Sequence, residues 1–390
     1  MNFSRLLFIV DCVGPYHIAR LDQISHFYDI SCLEVRLNSR IYNWGSSDDT
    51  NFKKYTLEKL YHYWPVFFKT VFFIVKNCSS FDVIFTSGWS TTADLAGIFC
   101  GRLLNKKVIV MSDSSARDSA RHKFTEFIKN LILQNVDGAF VAGSRHKDYA
   151  ISLGISSNCI ECNYDVVDNN HFQKDVSDAR LGFLAVGRLI AKKNYFFMLD
   201  CYSEYCNLSI ASGHIPWSLT IAGYGPLQNN LKDYAEHLGI SVQFLGGKTY
   251  DELPSVYASH SVLLHCSTTE QWGLVVNEAM AAGMPVLVSE HCGCVPELVL
   301  HGHTGFALPV SDVRPWVDAM LRLSSSEDVR VQMAKTASAH ISNFDLESHA
   351  CSVSQLVNKV ESKSVKVRTN ILSLLIVLLV AIVRSFRRGE

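Results

Sequence analysis

The stretch Thr268-Thr269-Glu270-Gln271-Trp272-Gly273-Leu274-Val275-Val276-Asn277-Glu278-Ala279-Met280-Ala281-Ala282-Gly283-Met284-Pro285-Val286 decides how this chain is read. Just before it, Val262–Leu264 is a short apolar run of the kind that forms a buried strand, and Ser267 to Gly273 is the loop at its carboxyl end. Leu274–Ala282 reads as a short helix closed by Gly283 as a left-handed cap, with Pro285 stopping continuation. Gly273 removes side-chain bulk where that helix begins. The amides of Gly273, Leu274 and Val275 therefore lack helical partners and suit an anion such as a phosphate. Glu270 lies in the loop and Glu278 one turn into the helix. Two carboxylates beside an anion-binding helix end make chemical sense when the anion carries hydroxylated groups, as sugars do. Taken alone, the pair reads more readily as a surface Glu and a helix Glu.

Upstream, Val186-Gly187-Arg188-Leu189 and Lys192-Lys193-Asn194 fall where strand Phe183–Val186 ends and a helix begins. Arg offers a planar fork and Lys a point charge, a combination suited to a diphosphate, although solvated basics at a helix start read the same way. Ala222-Gly223-Tyr224-Gly225-Pro226 is a Gly-x-Gly turn after strand Ser218–Ala222. The third glycine of a dinucleotide fingerprint is absent, because Gln228 stands there.

Around these motifs, short apolar runs alternate with amphipathic stretches along most of the chain, the signature of βα units on parallel sheets. The first half predicts strands at Leu6–Val10, Ser31–Val35, Asp82–Phe85, Lys107–Met111, Gly138–Val141 and near Ile160, with helices at Thr91–Leu104, Thr125–Leu133 and Ser144–Leu153. Tyr61–Lys76 is an aromatic helix, either buried or touching lipid. The pattern lapses between Asp165 and Asp178, then restarts with helices at Tyr195–Cys206, Leu227–Leu238 and Leu253–Ala258 and strands at Val242–Leu245 and Pro285–Val288. The expectation is an α/β protein of two Rossmann-like, doubly wound domains facing a cleft: 1–170, then 171–345, a helix or linker at 346–367 and an apolar tail at 368–390. Ligands of such sheets bind beyond the strand carboxyl ends.

Composition narrows the function. Lys+Arg 36 against Asp+Glu 37 gives a net charge of -1 over 390 residues, which argues against nucleic acid as a partner. With 48% hydrophobic residues the chain is no disordered or low-complexity protein. Its 12 cysteines sit mostly in apolar stretches and read as small buried hydrophobes, with Cys159–Cys162 and Cys292–Cys294 too sparse for a zinc site. Only five apolar residues, Leu6 to Val10, precede Asp11, which is short for a signal-peptide core. Reduced cysteines and no export signal lead to the expectation of a cytoplasmic protein.

Taken in order, Gly187-Arg188 with Lys193, Gly223-Tyr224-Gly225-Pro226, Phe244-Leu245-Gly246, the Glu270-to-Glu278 element, Gly293-Cys294-Val295-Pro296-Glu297 and Gly302-His303-Thr304-Gly305 resemble the retaining nucleotide-sugar glycosyltransferases of family 4, with the GT-B fold. The resemblance covers residues 180–310 strongly and the first domain more loosely. It implies that Arg188 and Lys193 neutralise the donor diphosphate, that Gly223 belongs to the donor side, and that the amides at Gly273, Leu274 and Val275 hold the distal phosphate. It also implies that the turn at Gly246–Lys248 borders the base, that Glu270 contacts the transferred sugar, and that Glu278 takes the ribose hydroxyls. In the first domain Gly14 matches the glycine turn near the diphosphate, here a single Gly followed by Pro15 where members often carry two glycines. Asp113 stands where members place a residue facing the sugar. His17, Arg117 and His122 are candidates for the acceptor side, either histidine as a general base. No metal and no cofactor are implied beyond the nucleotide-sugar substrate, and the chain contains no Asp-x-Asp motif.

The competing readings are a nucleotide-sugar epimerase and a nonenzymatic sugar-nucleotide scaffold. Retention of Arg188, Lys193, Glu270 and Glu278 together argues against decay. At the carboxyl end, Ile371–Val383 is 13 residues interrupted only by Ser373 and bracketed by Lys363, Lys366, Arg368, Arg384, Arg387 and Arg388. As a helix it is about 20 Å long against a hydrocarbon core of about 30 Å. The expectation is a shallow insertion into an anionic membrane surface from the cytoplasmic side, suited to a glycan or lipid-linked acceptor. The alternative is a terminal helix docked on the protein itself.

Overall fold

A computed structural model describes residues 4–37, 50–60, 64–118, 121–174, 181–362 and 371–387. The chain divides into two units, Met1–Asp165 with Leu346–Glu390, and Val166–Asp345. The first unit runs β1 (Arg5–Val10), α1 (Pro15–Ser25), β2 (Asp29–Glu34), β3 (Lys53–Thr56), α2 (Val66–Lys76), β4 (Val83–Thr86), α3 (Thr92–Leu103), β5 (Lys107–Ser112), α4 (Lys123–Leu133), β6 (Gly138–Val141), α5 (Ser144–Ser152) and β7 (Ile160–Glu161). The second holds α6 (Asn169–Phe172), β8 (Phe183–Val186), α7 (Tyr195–Ala211), β9 (Leu219–Ala222), α8 (Gln228–His237), β10 (Val242–Gly246), α9 (Leu253–Ala258), β11 (Val262–His265), α10 (Leu274–Ala281), β12 (Val286–Ser289), α11 (Val295–Leu298), β13 (Gly305–Leu308), α12 (Arg314–Ser325) and α13 (Glu327–Ile341). The chain closes with α14 (Leu346–Ser362) and α15 (Ile371–Arg387), both packed on the first unit.

Among the described residues the first unit has a seven-stranded sheet in the order β3-β2-β1-β4-β5-β6-β7, and the second a six-stranded sheet in the order β10-β9-β8-β11-β12-β13. Neighbouring strands pair in parallel throughout. Strands buried on both faces read as unbroken apolar runs, which is why Gly138–Val141 and Phe183–Val186 are legible to the residue. On one side of the first sheet, Leu6, Phe8, Val83, Phe85 and Ile109 pack against α1 and α14. On the other, Val108, Val110 and Ala139 pack against Phe67 of α2, Leu95 of α3, Leu133 of α4 and Val377 and Ala381 of α15.

The strand order reverses between β1 and β4 in the first sheet and between β8 and β11 in the second. Ligands of open parallel sheets bind outside such switch points, so the loops after β1, β8 and β11 are where chemistry belongs. The helix α15 docks on the first unit, the arrangement named above as the alternative for the tail. One face, with Val377 and Ala381, is fully buried, and Ser373 bonds the Asn135 amide at 3.2 Å. Arg384 donates to the Ser90 carbonyl at 2.6 Å and the Trp89 carbonyl at 3.2 Å, fixing the far end. Lys363, Lys366, Arg368 and Arg388, named above, lie outside the described residues.

Candidate functional site

In the second unit the loops following β8, β9, β10 and β11 are tied together by main-chain bonds. Gly187 N donates to Ala222 O at 3.0 Å, Leu189 N to Tyr224 O at 2.9 Å, and Gly223 N to Gly246 O at 2.8 Å. Gly223 is glycine for this reason: a Cβ there would sit 1.8 Å from the Gly187 carbonyl oxygen. Its contribution is the close approach of two loops, which sets where Arg188 sits. The Arg188 Nε is buried and, among the described residues, has no hydrogen-bond partner. Native proteins rarely leave such a group unsatisfied, so an anion at this switch point is the simplest partner.

Five residues on, a 3-10 turn at Ala191–Lys193 and a left-handed Asn194 aim Lys193 across to the loop after β11. Its Nζ donates to Glu270 Oε2, and Lys192 Nζ lies 3.6 Å from Glu270 Oε1. Ser267 Oγ donates to Glu270 Oε2 at 3.2 Å, and His265 Nε2 is 3.7 Å away. Burial alone would raise the Glu270 carboxyl. His265 and the two lysine charges outweigh it and hold the group well below the usual carboxylate range, so Glu270 is an anion at neutral pH. Burial and Lys193 together lower His265, which is a neutral imidazole there. The loop itself is clamped: Thr268 N donates to Lys192 O at 2.9 Å, Gly293 N to Glu270 O at 3.0 Å and Cys294 N to Trp272 O at 3.2 Å. Lys193 thus stands first as the counter-charge of Glu270, a pairing the motif spacing does not reveal.

Gly273 adopts φ 109° and ψ 64°, a backbone that favours glycine, and hands the chain into α10. The Leu274 and Val275 amides of that first turn have no helical acceptor. Glu278 is 2% exposed, and its Oε2 accepts the Tyr257 hydroxyl at 2.5 Å. Lys248 follows β10 and pairs with Glu252 at 3.5 Å, one turn along its own segment. Residues that the motif reading passed over are His265 and Tyr257, and Lys192, quoted beside Lys193, is given no role by it. His265 had a signal, a polar residue ending the apolar run Val262-Leu263-Leu264; the pairings of Lys192 with Glu270 and of Tyr257 with Glu278 join residues distant in sequence.

In the first unit Gly14 is the N-cap of α1, and its N–H donates to His17 Nδ1 at 3.3 Å. Gly14 itself has an ordinary extended backbone, φ −111° and ψ 177°. Burial and the nearby Arg20 charge lower His17 to about 4, so it is neutral and its Nδ1 lone pair is engaged. That arrangement makes it a helix-capping histidine and a poor general base. His146 does the same for α5, accepting from Gly143 N at 3.1 Å, and went unseen because nothing in a lone Gly-x-x-His distinguishes it from background. Asp113 follows β5, and its carboxyl is pushed up by burial and by Asp165. Asp165 in turn faces Arg20 at 3.4 Å. Arg117 and His122 are both exposed. Between them in sequence, Asp118 is spent on Ser115, and Arg121 stacks on the Tyr149 ring at 4.3 Å beside Glu126. Among the described residues no three His, Cys, Asp or Glu side chains gather to hold a metal ion.

Residues 166–340 match the family described as Glycosyl transferases group 1. For the whole chain, a structure of Anabaena Alr3699/HepE in complex with UDP and glucose aligns over 91% of this chain and 99% of that one, with TM-score 0.72 and 16% identity. The chain has the GT-B fold. By sequence, D-inositol 3-phosphate glycosyltransferase of Corynebacterium urealyticum is 37% identical over 122 residues, 31% of this chain and 28% of the relative. Amylovoran biosynthesis glycosyltransferase AmsK of Erwinia amylovora is 30% identical over 202 residues, 49% of this chain and 48% of the relative. The chain therefore matches between about a quarter and a half of the length of these curated relatives.

Proposed function

We propose that this GT-B protein is a retaining glycosyltransferase that moves a sugar from a nucleoside-diphosphate sugar to a glycan or lipid-linked acceptor, at the cytoplasmic side of a membrane, in the synthesis of a cell-surface polysaccharide or glycolipid. The observation that carries the reading is the buried Nε of Arg188 at the β8 switch point, which has no hydrogen-bond partner among the described residues. The Anabaena neighbour binds UDP and glucose, and the Erwinia relative is named for amylovoran biosynthesis. Both fit a nucleotide-sugar donor and a polysaccharide product.

In this reading Arg188 and the Leu274 and Val275 amides meet the diphosphate, whose charge grows as the glycosidic C–O bond breaks. Preorganised donors aimed at developing charge supply most of the barrier lowering in such reactions. Glu270, held ionised by Lys193 and Lys192, takes sugar hydroxyls and keeps two cations beside the leaving group. Glu278, steadied by Tyr257, takes the ribose. The first unit serves the acceptor with Arg117 and His122, and Asp113 faces the sugar. No protein nucleophile and no metal are required by this set.

The test is incubation of the purified protein with UDP-, GDP- and ADP-sugars, followed by NMR of the products. Release of a nucleoside diphosphate with a product of unchanged anomeric configuration, insensitive to chelator, is expected. A sugar isomer without nucleotide release would make it an epimerase, and binding without turnover would make it a scaffold.

A further inference from the structure

We propose that α2, α4 and α15 together form one face of the first unit that lies flat on an anionic lipid bilayer. The three helices cover the same side of the sheet, since Phe67, Leu133, Val377 and Ala381 share one core cluster beneath them. With those residues pointing inward, the opposite stripes point away from the sheet together. On those stripes stand Phe68, Phe72, Phe124, Phe127, Leu375 and Leu379, each between 42% and 75% exposed. Large apolar side chains concentrated on three adjacent helices mark an interaction surface. Trp64, next to α2, extends it by packing edge-on to Phe72 at 6.1 Å.

Charge identifies the occupant. On the three helices Lys76 and Lys123 are exposed cations, against one Glu, in a chain whose net charge is -1. That one, Glu126, is already paired with Lys129 at 2.8 Å and Arg121 at 3.3 Å. Two copies meeting through this face would bring like charges together, which is costly, whereas an anionic headgroup layer meets both the cations and the apolar stripe. Insertion is in-plane. At 17 residues α15 is about 26 Å long, short of the hydrocarbon core, and its inner face is committed to the protein. Among the described residues no helix is long and apolar enough to cross a membrane.

Deleting the tail would strip Val377 and Ala381 from the core, so the test uses surface substitutions in the full chain. Co-sedimentation is measured with vesicles of phosphatidylcholine alone and with phosphatidylglycerol added, for the wild type, Leu375→Glu/Leu379→Glu and Phe68→Ser/Phe72→Ser. The wild type should bind the anionic vesicles and not the neutral ones. Each double variant should lose binding by about tenfold or more while still melting cooperatively as a folded protein; the α15 pair should keep the wild-type midpoint, and the Phe pair, whose rings pack edge-on to Phe67 and Trp64, should melt a few degrees lower. Equal binding by wild type and variants would overturn the proposal. So would loss in the α15 variant alone, which would make the tail a lone anchor, or a wild-type dimer that Leu375→Glu/Leu379→Glu dissociates without changing vesicle binding.

Discussion

Replacing Gly223 by Ala adds one methyl group at the tightest main-chain approach of the second unit. The new Cβ would lie 1.8 Å from Gly187 O, and real Cβ contacts essentially never fall under 3.0 Å, so that carbonyl must retreat by at least 1.2 Å. Retreat breaks the 3.0 Å bond from Gly187 N to Ala222 O and the 3.2 Å bond from the Tyr195 hydroxyl to Gly187 O. Overpacking of this kind costs about 1–3 kcal/mol and each lost hydrogen bond about 1 kcal/mol, so a total of about 2–4 kcal/mol is expected. For a unit of this size the thermal midpoint should fall by roughly 5–15 °C. Displacing Arg188 by the same movement should slow transfer by up to ~100-fold. Gly239→Ala is the control: its φ is +67° but a Cβ there meets nothing within 4 Å, so only left-handed strain of about 1–2 kcal/mol is added. Calorimetry on both variants decides. A Gly223→Ala midpoint equal to or above that of Gly239→Ala would refute the close-approach reading of the loop junction.

Two further outcomes follow from the same geometry. Glu270→Gln should leave nucleoside-diphosphate affinity intact or tighter, since Lys193 loses its internal counter-charge, while depressing transfer; Glu278→Gln should weaken nucleotide binding, and titration calorimetry beside a transfer assay separates them. His349, which donates to Asn163 O across 2.8 Å, is lowered to about 3 by burial and by Arg20, so it stays neutral in the fold while the unfolded chain protonates near pH 6.5. Its share of stability is present above that pH and drains as pH falls, at about 1.4 kcal/mol per pH unit. The raised Asp113 carboxyl acts in the opposite sense over part of the same window, so the test compares urea unfolding of wild type and His349→Gln from pH 7 to pH 4. The variant should gain on the wild type as pH drops, and parallel curves would contradict the assignment.

What the sequence discloses follows the physics of each element. Central parallel strands, buried on both faces, show as apolar runs, and the helix Leu253–Ala258 shows through its period and its Pro254. The edge strand Lys53–Thr56 does not, because two lysines and a half-buried face break the alternation that marks a strand. The motifs bring Arg188, Lys193, Glu270 and Gly273 into neighbouring strand-end loops, as their order implies. Their pairings stay hidden: Lys193 neutralising Glu270, Tyr257 on Glu278 and Arg20 on Asp165 each join residues from separate elements. The tail shows the same limit. An all-apolar block offers no polar stripe to indicate docking, yet α15 packs its Val377 and Ala381 face on the first unit and leaves an apolar stripe outside.

The central claim is that the β8 switch point is an anion site built around Arg188. Titration calorimetry of UDP, GDP and ADP into the wild type and into a folded Arg188→Ala variant tests it most directly. A charged hydrogen bond of about 1.5–3 kcal/mol predicts that one of these nucleotides binds the wild type and that the variant binds it about 10- to 100-fold more weakly. Equal affinity in the two proteins, or no affinity for any nucleoside diphosphate in the wild type, would contradict it.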